Sequence, residues 1–195
     1  DYLQMDGFDC FKRGIKELYC LDENNQYYKS VDGNLYSKDG KIFMQYAPGK
    51  DDTSFKINDN VTDVYERAFC GVSALSSIEV GKNNENYTSI DGNLYTKDTK
   101  TLLVYAPGKT EESFAVPSHV TKVASWSIYK CNNLKSIIIP TSVNRIEPWS
   151  IISNIEKVVY EGTLKQWGEI YFDTLAFGYI VKDGVECTDG RDKIN

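Results

Sequence analysis

The chain has 195 residues, 26% of them charged, a formal net charge of −6 and one histidine. That balance lacks the clustered Lys and Arg that phosphate binding needs, so no nucleic-acid partner is expected. No run approaches the ~18 consecutive apolar residues of a spanning helix, so no membrane insertion is expected within it.

Taken in order, the chain starts at Asp1 without a signal-like apolar stretch, which points to a mature or trimmed protein whose targeting signal lies elsewhere. Ile15-Lys-Glu-Leu-Tyr-Cys20 reads as the strand of an incomplete coil, so the chain is expected to begin inside a repeat array. Ser30-Val-Asp-Gly-Asn-Leu-Tyr-Ser-Lys-Asp39 then returns as Ser89-Ile-Asp-Gly-Asn-Leu-Tyr-Thr-Lys-Asp98, 59 residues later. The same shift carries Tyr46-Ala-Pro-Gly-Lys50 onto Tyr105-Ala-Pro-Gly-Lys109, and 16 of 26 positions from Ser30 to Phe55 are identical without a gap. Self-similarity at a fixed period specifies a repeat architecture.

A shorter period sits inside the longer one. Val120-Thr-Lys-Val123 recurs as Val143-Asn-Arg-Ile146 and Trp126-Ser-Ile128 as Trp149-Ser-Ile151, both 23 residues on. Leu134-Lys-Ser-Ile-Ile-Ile139 recurs as Ile155-Glu-Lys-Val-Val-Tyr160 after 21. An apolar residue at i, i+3 and i+5 fits a turn running into a strand with one buried face. The 59-residue unit then reads as one coil of 23 plus an insertion of 36, roughly 83–109 at its centre. Inside the insertion, Ile90, Leu94-Tyr95 and Leu102-Leu-Val-Tyr105 flank the polar turn Lys97-Asp-Thr-Lys100, which is Lys38-Asp-Gly-Lys41 in the first copy: a hairpin pattern. The tyrosine pairs Tyr28/Tyr87, Tyr36/Tyr95 and Tyr46/Tyr105 recur in step and are expected to pack, with ligand stacking as the alternative.

Near the C-terminus Thr163-Leu-Lys-Gln166 fits a capping box, followed by Leu164, Trp167 and Ile170 on one helical face. Tyr179-Ile-Val-Lys182 and Val185-Glu-Cys-Thr188 flank Asp183-Gly184 and predict a hairpin. Helix and hairpin together would cover the last coil, as a solenoid requires.

With these motifs in place the chain resembles the BspA-like leucine-rich repeat family. The resemblance rests on Val61-Thr-Asp-Val64 with Ala68-Phe69 and Leu75-Ser-Ser-Ile-Glu-Val80, on Val120–Pro140, on the inserted Asp-Gly-Asn-Leu-Tyr and Tyr-Ala-Pro-Gly-Lys blocks, and on Val159-Tyr-Glu-Gly-Thr-Leu-Lys-Gln-Trp167. It departs at Cys70 directly after Phe69 and at Trp126-Ser-Ile128 in place of an Ala-Phe pair. The resemblance implies a strand-dominated α/β-class leucine-rich-repeat solenoid with a parallel sheet on its concave side, inserted β-hairpins and a helix-plus-hairpin cap. We expect one domain over 1–195: a partial coil at 1–21, long repeats at 22–80 and 81–139, a last coil at 140–162 and a cap at 163–195. It further implies an extracellular or cell-surface protein that acts as an adhesin or interaction module, with no catalytic residues to carry over.

Little in the chain points to chemistry. His119 lacks spaced partners for a triad or a metal site and reads as a loop residue. Asp22-Glu-Asn-Asn25 and Lys82-Asn-Asn-Glu-Asn86 lack the order of a calcium loop and read as polar turns, and Asp32 and Asp91 read as turn residues before glycine. Cys10, Cys20, Cys70, Cys131 and Cys187 are dispersed and are expected to be mostly buried thiols; a Cys10–Cys20 disulfide stays open. No cofactor or metal is implied.

A protein partner, from a host or a bacterial surface, is therefore the first reading. The outward residues of the concave strands would carry it: Tyr19, Ser77, Glu79, Ser136, Ile138, Lys157 and Val159, with Ile138 and Val159 as apolar contacts among charges. Carbohydrate binding through exposed Tyr36 and Tyr95 on the hairpins is the alternative, and a structural spacer in a larger surface protein is the third.

Overall fold

The corners are the most regular feature of the structure, a computed structural model that describes residues 14–19, 25–172, 176 and 184–192. After three of the long strands the backbone turns under a buried valine whose amide donates three residues back: Val61 to Asn58, Val120 to Pro117 and Val143 to Pro140. Each of these valines is at most 1% exposed. The Val-x-x-Val/Ile signature therefore marks a corner and the short strand that leaves it.

The first meander holds β1 (Tyr28–Val31), β2 (Asn34–Ser37) and β3 (Ile42–Gln45). The long strand β4 (Ser54–Ile57), the short strand β5 (Asp63–Val64) and the long strand β6 (Ser77–Val80) follow. The second meander is β7 (Tyr87–Ile90), β8 (Asn93–Thr96) and β9 (Thr101–Val104). Two regular turns then carry three strands each: β10 (Ser113–Ala115), β11 (Lys122–Val123) and β12 (Ile128–Tyr129); β13 (Ser136–Ile139), β14 (Arg145–Ile146) and β15 (Ile151–Ile152). The last elements are β16 (Lys157–Tyr160), α1 (Leu164–Gly168), β17 (Tyr171–Phe172), β18 (Val185–Cys187) and β19 (Gly190–Asp192).

The strands stack in register into a three-faced β-solenoid of about six turns. On the long-strand face β10, β13, β16 and β18 run parallel, and β4 pairs with β6 in a separate sheet. On the second face β9, β11, β14 and β17 run parallel. The third face is β12 with β15, extended by bonds from Tyr105 N–H to Ser127 O and from Ile151 N–H to Ala176 O. Along each long strand burial alternates: Ile137, Ile139 and Val158 are fully buried while Ser136, Ile138, Lys157 and Val159 look outward.

The 36-residue step from Ser77 to Ser113 forms a turn of its own rather than an excursion from one. β6 supplies its first face, β9 its second and Tyr105 its third, so the true insert is the β7–β8 hairpin alone. Both hairpin tips hold two successive residues in the left-handed region, Asp32 (φ 49) with Gly33 (φ 71) and Asp91 (φ 50) with Gly92 (φ 73). This is the type I′ geometry that Asp-Gly favours, and it explains the carboxylates as turn residues. At the next turn Asp39 and Asp98 each accept from a hydroxyl and an amide, Ser37 with Lys41 and Thr96 with Lys100.

Two cores result. The first is aromatic: Phe43 packs against Tyr36, Phe55 and Phe69 with ring centroids 5.0, 5.1 and 5.3 Å away. The second is mainly aliphatic and runs from Leu102 through Leu134, Ile137 and Val158 to Trp167. Trp167, 1% exposed, closes it against Tyr160 and donates its indole N–H to Asp192.

The capping box at Thr163 and Gln166 is present as expected, and Asp189 accepts the amide of Leu164. Thr163→Ala removes one cap acceptor and should cost about 1 kcal/mol; a thermal midpoint equal to wild type would show that Asp189 suffices. The hairpin differs from expectation. Val185–Cys187 pairs with Gly190–Asp192 around Thr188-Asp189, and its other edge joins β16 in parallel. Tyr179-Ile-Val-Lys182 lies outside the described residues. β18 therefore extends the long-strand sheet, and β19 covers its edge.

Candidate binding surface

Register sorts the outward residues of the long strands into rows. Ser113, Ser136 and Lys157 are direct neighbours in one row, and Ala115, Ile138, Val159 and Glu186 in the next. Four expected site residues, Ser136, Ile138, Lys157 and Val159, thus lie on two adjacent strands. Ile138 and Val159 are half-buried and present a small apolar strip. Charge bounds it: Lys157 Nζ is 2.7 Å from Glu186 Oε2, and Arg191 holds the other oxygen of the same carboxylate. Those bonds, that from Lys157 first, hold the Glu186 carboxyl below its ordinary range.

The other expected residues sit apart from that patch. Ser77 and Glu79 lie on β6, opposite Ser54 and Lys56, with the Ser54 hydroxyl donating to Glu79 Oε1 at 3.1 Å. The second edge of β6 is taken by the second hairpin tip, since Ile78 N–H donates to Gly92 O and the Ser89 hydroxyl to Ile78 O. Tyr19 is 65% exposed. Its segment repeats the β6 bonding: Leu18 N–H donates to Gly33 O, and Ser30 to Leu18 O. The seven residues therefore fall into three groups, separated where hairpin tips replace strand neighbours.

Sequence reading missed Glu186 and Arg191, because Asp183-Gly184 signalled a different hairpin. It also missed a ladder at the second corner. Trp126 and Trp149 hold positive φ (61° and 60°), their rings stack at 6.0 Å, and Arg67 lies 4.1 Å over Trp126. The 59- and 23-residue shifts relate these three positions and were the available signal.

The alternative glycan platform is corrected by burial: Tyr36 is 5% and Tyr95 1% exposed. Tyr46 and Tyr105 are buried as well, so these four recurring tyrosines fill the core. His119 lies beside Tyr95, ring centroids 6.2 Å apart, and its Nε2 is buried without a partner. Asn84 uses its carbonyl for the amides of Asn86 and Tyr87 and its amide for Asn58 O and Val61 O, which makes it a structural turn residue. Of the earlier polar stretch only Asn25 is described, and it accepts from Tyr27 and Tyr28 in the same manner. Cys131 is a buried thiol pushed up to about 12 by desolvation; Cys70 is buried and Cys187 partly so. Cys10 and Cys20, and with them the open disulfide, lie outside the described residues. Among the described residues no three His, Cys, Asp or Glu side chains gather as a metal site, and no helix is long and apolar enough to cross a membrane.

Stacked parallel strands, one long strand per turn and buried leucine, isoleucine and valine at fixed offsets define a leucine-rich-repeat solenoid. The chain belongs to the BspA type leucine rich repeat family, whose repeat matches residues 49–175 in six copies. Among solved structures it is similar to a leucine-rich repeat protein from Eubacterium ventriosum, at 22% identity and a TM-score of 0.58, over 70% of this chain and 36% of that one. It is also similar to the pneumococcal vaccine antigen PcpA (17% identity, TM-score 0.49, 65% of this chain and 44% of that one). A leucine rich cell surface protein from Faecalibacterium prausnitzii matches at 18% identity and a TM-score of 0.46, over 68% of this chain and 54% of that one. The chain thus spans roughly a third to a half of those molecules. No curated protein sequence matches it. The BspA-type family is typically non-enzymatic, and the Faecalibacterium prausnitzii neighbour is a cell surface protein.

Proposed function

We propose that this chain is a non-enzymatic binding module of a secreted or surface-attached protein and that its ligand is another protein, host or bacterial. The observation that carries this reading is the registered patch on β13, β16 and β18, an Ile138–Val159 strip bounded by Lys157, Glu186 and Arg191. Half-buried β-branched residues ringed by charge have the make-up of a small interface core with a polar rim. The burial of Tyr36 and Tyr95 weighs against a glycan ligand, and membership of the BspA-type family supports the location.

The test is a surface-plasmon-resonance screen of the folded chain against immobilised extracellular-matrix proteins and mucins, with a glycan array alongside. Ile138→Asp places a charge in the strip and should weaken a saturable protein hit ~100-fold or more while circular dichroism is unchanged. Glu79→Lys, on the separate β4–β6 sheet, reports whether the contact extends that far. Binding that survives both changes would remove the long-strand face as the site.

A further inference from the structure

The second face of the solenoid is broken at one place. β3 and β5 belong to one sheet, β9, β11, β14 and β17 to another, and among the described residues no strand pairs with the outer edge of β5. In the regular turns that edge is used: Glu147 N–H donates to Val123 O at 3.0 Å. The residue 59 positions earlier is Val64, and among the described residues no donor reaches its carbonyl. Half of the edge is closed by one side chain. The Tyr87 hydroxyl accepts from Val64 N–H at 3.0 Å and donates to Thr62 O at 3.4 Å. The other half opens into a cavity of about 300 Å³ lined by Val64, Tyr65, Glu66, Leu103, Ala124 and Ser125. An unpaired strand edge is a template for another chain, and this volume is at the lower end of ligand sites.

The charges in the cleft fall into two groups. Glu147 binds Lys122 and Arg145, each at 2.7 Å, so those cations are satisfied. Glu66 is exposed and makes no ion pair among the described residues, and the neighbouring Tyr65 is 40% exposed. An uncompensated carboxylate beside an accessible aromatic face selects a cation.

We infer that this cleft docks an extended peptide segment of a partner protein bearing Lys or Arg, added as a short strand to the open edge of β5. A peptide amide donates to Val64 O, the backbone lies over Leu103 and Ala124, and the basic side chain meets Glu66 across the Tyr65 ring. This is strand addition, in which backbone bonds give affinity and a side-chain pocket gives selectivity. The site is on a different face from the Ile138–Val159 patch and stands independently of it.

The experiment is an NMR titration of the isotope-labelled chain with the blocked peptide acetyl-Thr-Val-Lys-Val-Thr-amide and with its counterpart carrying Glu for Lys. So short a strand should bind with a Kd of about 1 mM. The lysine peptide should give saturable shifts at the amides of Tyr65, Glu66, Leu103 and Ser125, and the glutamate peptide none. Glu66→Lys should weaken the lysine peptide tenfold or more without altering the remaining spectrum. Absence of saturable shifts, equal binding of both peptides, or shifts confined to Ser136–Val159 would each overturn the proposal.

Discussion

Gly108→Ala is expected to destabilise the protein by about 3 kcal/mol, because overpacking against backbone has no side-chain relief, and to lower its melting temperature by roughly 6–12 °C. Gly108 N–H donates to Leu75 O at 2.8 Å, which ties the second Ala-Pro-Gly-Lys block to the start of β6. A methyl group there would sit 2.4 Å from the Ala74 carbonyl carbon and 2.5 Å from its oxygen. Both atoms are main chain, so either the bond lengthens or the strand moves. The first copy is built alike, with Gly49 donating to Ile15 O and its added methyl 2.4 Å from the Gly14 carbonyl carbon. Gly168→Ala is the control. It lies in α1 with open space around its added methyl, and it should be neutral or gain about 0.5 kcal/mol from helix propensity. Thermal denaturation of the three proteins checks this, and a Gly108→Ala midpoint equal to wild type would show that the block is not docked on β6.

The second large effect is alkaline unfolding between about pH 10 and 12. Burial pushes the Tyr36 and Tyr95 hydroxyls up to about 12, with the charges of Asp32 and Asp91 adding to the shift. Tyr46 and Tyr105 are raised further, again by burial first, with Asp52 accepting the Tyr46 hydroxyl and Glu111 near Tyr105. An unfolded tyrosine ionises near ~10. The folded chain therefore keeps protons that the unfolded chain releases. This stabilisation is complete below about pH 10 and lost as pH rises through the folded values. Each such ring is worth on the order of 2 kcal/mol, so several together match the whole stability of a domain. Tyrosinate absorbance and loss of the strand signal should appear in one cooperative step above pH 10. Gradual ionisation near pH 10 with the fold intact would show the rings to be solvent-accessible.

The architecture was legible in the sequence because its turns bury equivalent residues at equivalent offsets. Val120 and Val143 fill one corner, Leu134 and Ile155 the next, and the two Asp-Gly steps demand one backbone geometry twice. Periodicity identifies equivalent positions, but it is silent on which strand edge a hairpin occupies. The break at β5 thus stayed hidden, although Val64 and Val123 read alike. The joining of β18 to β16 was missed for a related reason: Val158 and Val185 are 27 residues apart, off the 23- and 21-residue steps, and a strong local turn signal stood beside them. Tyrosines next to Asp and Asn left packing and ligand stacking both open. Only burial separates these, because the same ring serves either role.

The middle turn of the solenoid has a mechanical consequence. It is bonded to the preceding turn through β4 and β6, and to the following turn through β9 and β11. Among the described residues no sheet runs uninterrupted across it. β8 stands as a wall between the halves, sending Leu94 into the aromatic core and Tyr95 into the aliphatic one. Tension applied along the stack therefore changes faces at this turn, from β6 to β9, and crosses by the Gly92 tip on Ile78, the β8–β9 pair and the Gly108–Leu75 bond. There the two cores meet across one strand instead of along a shared ladder, as two segments meet in a lap joint.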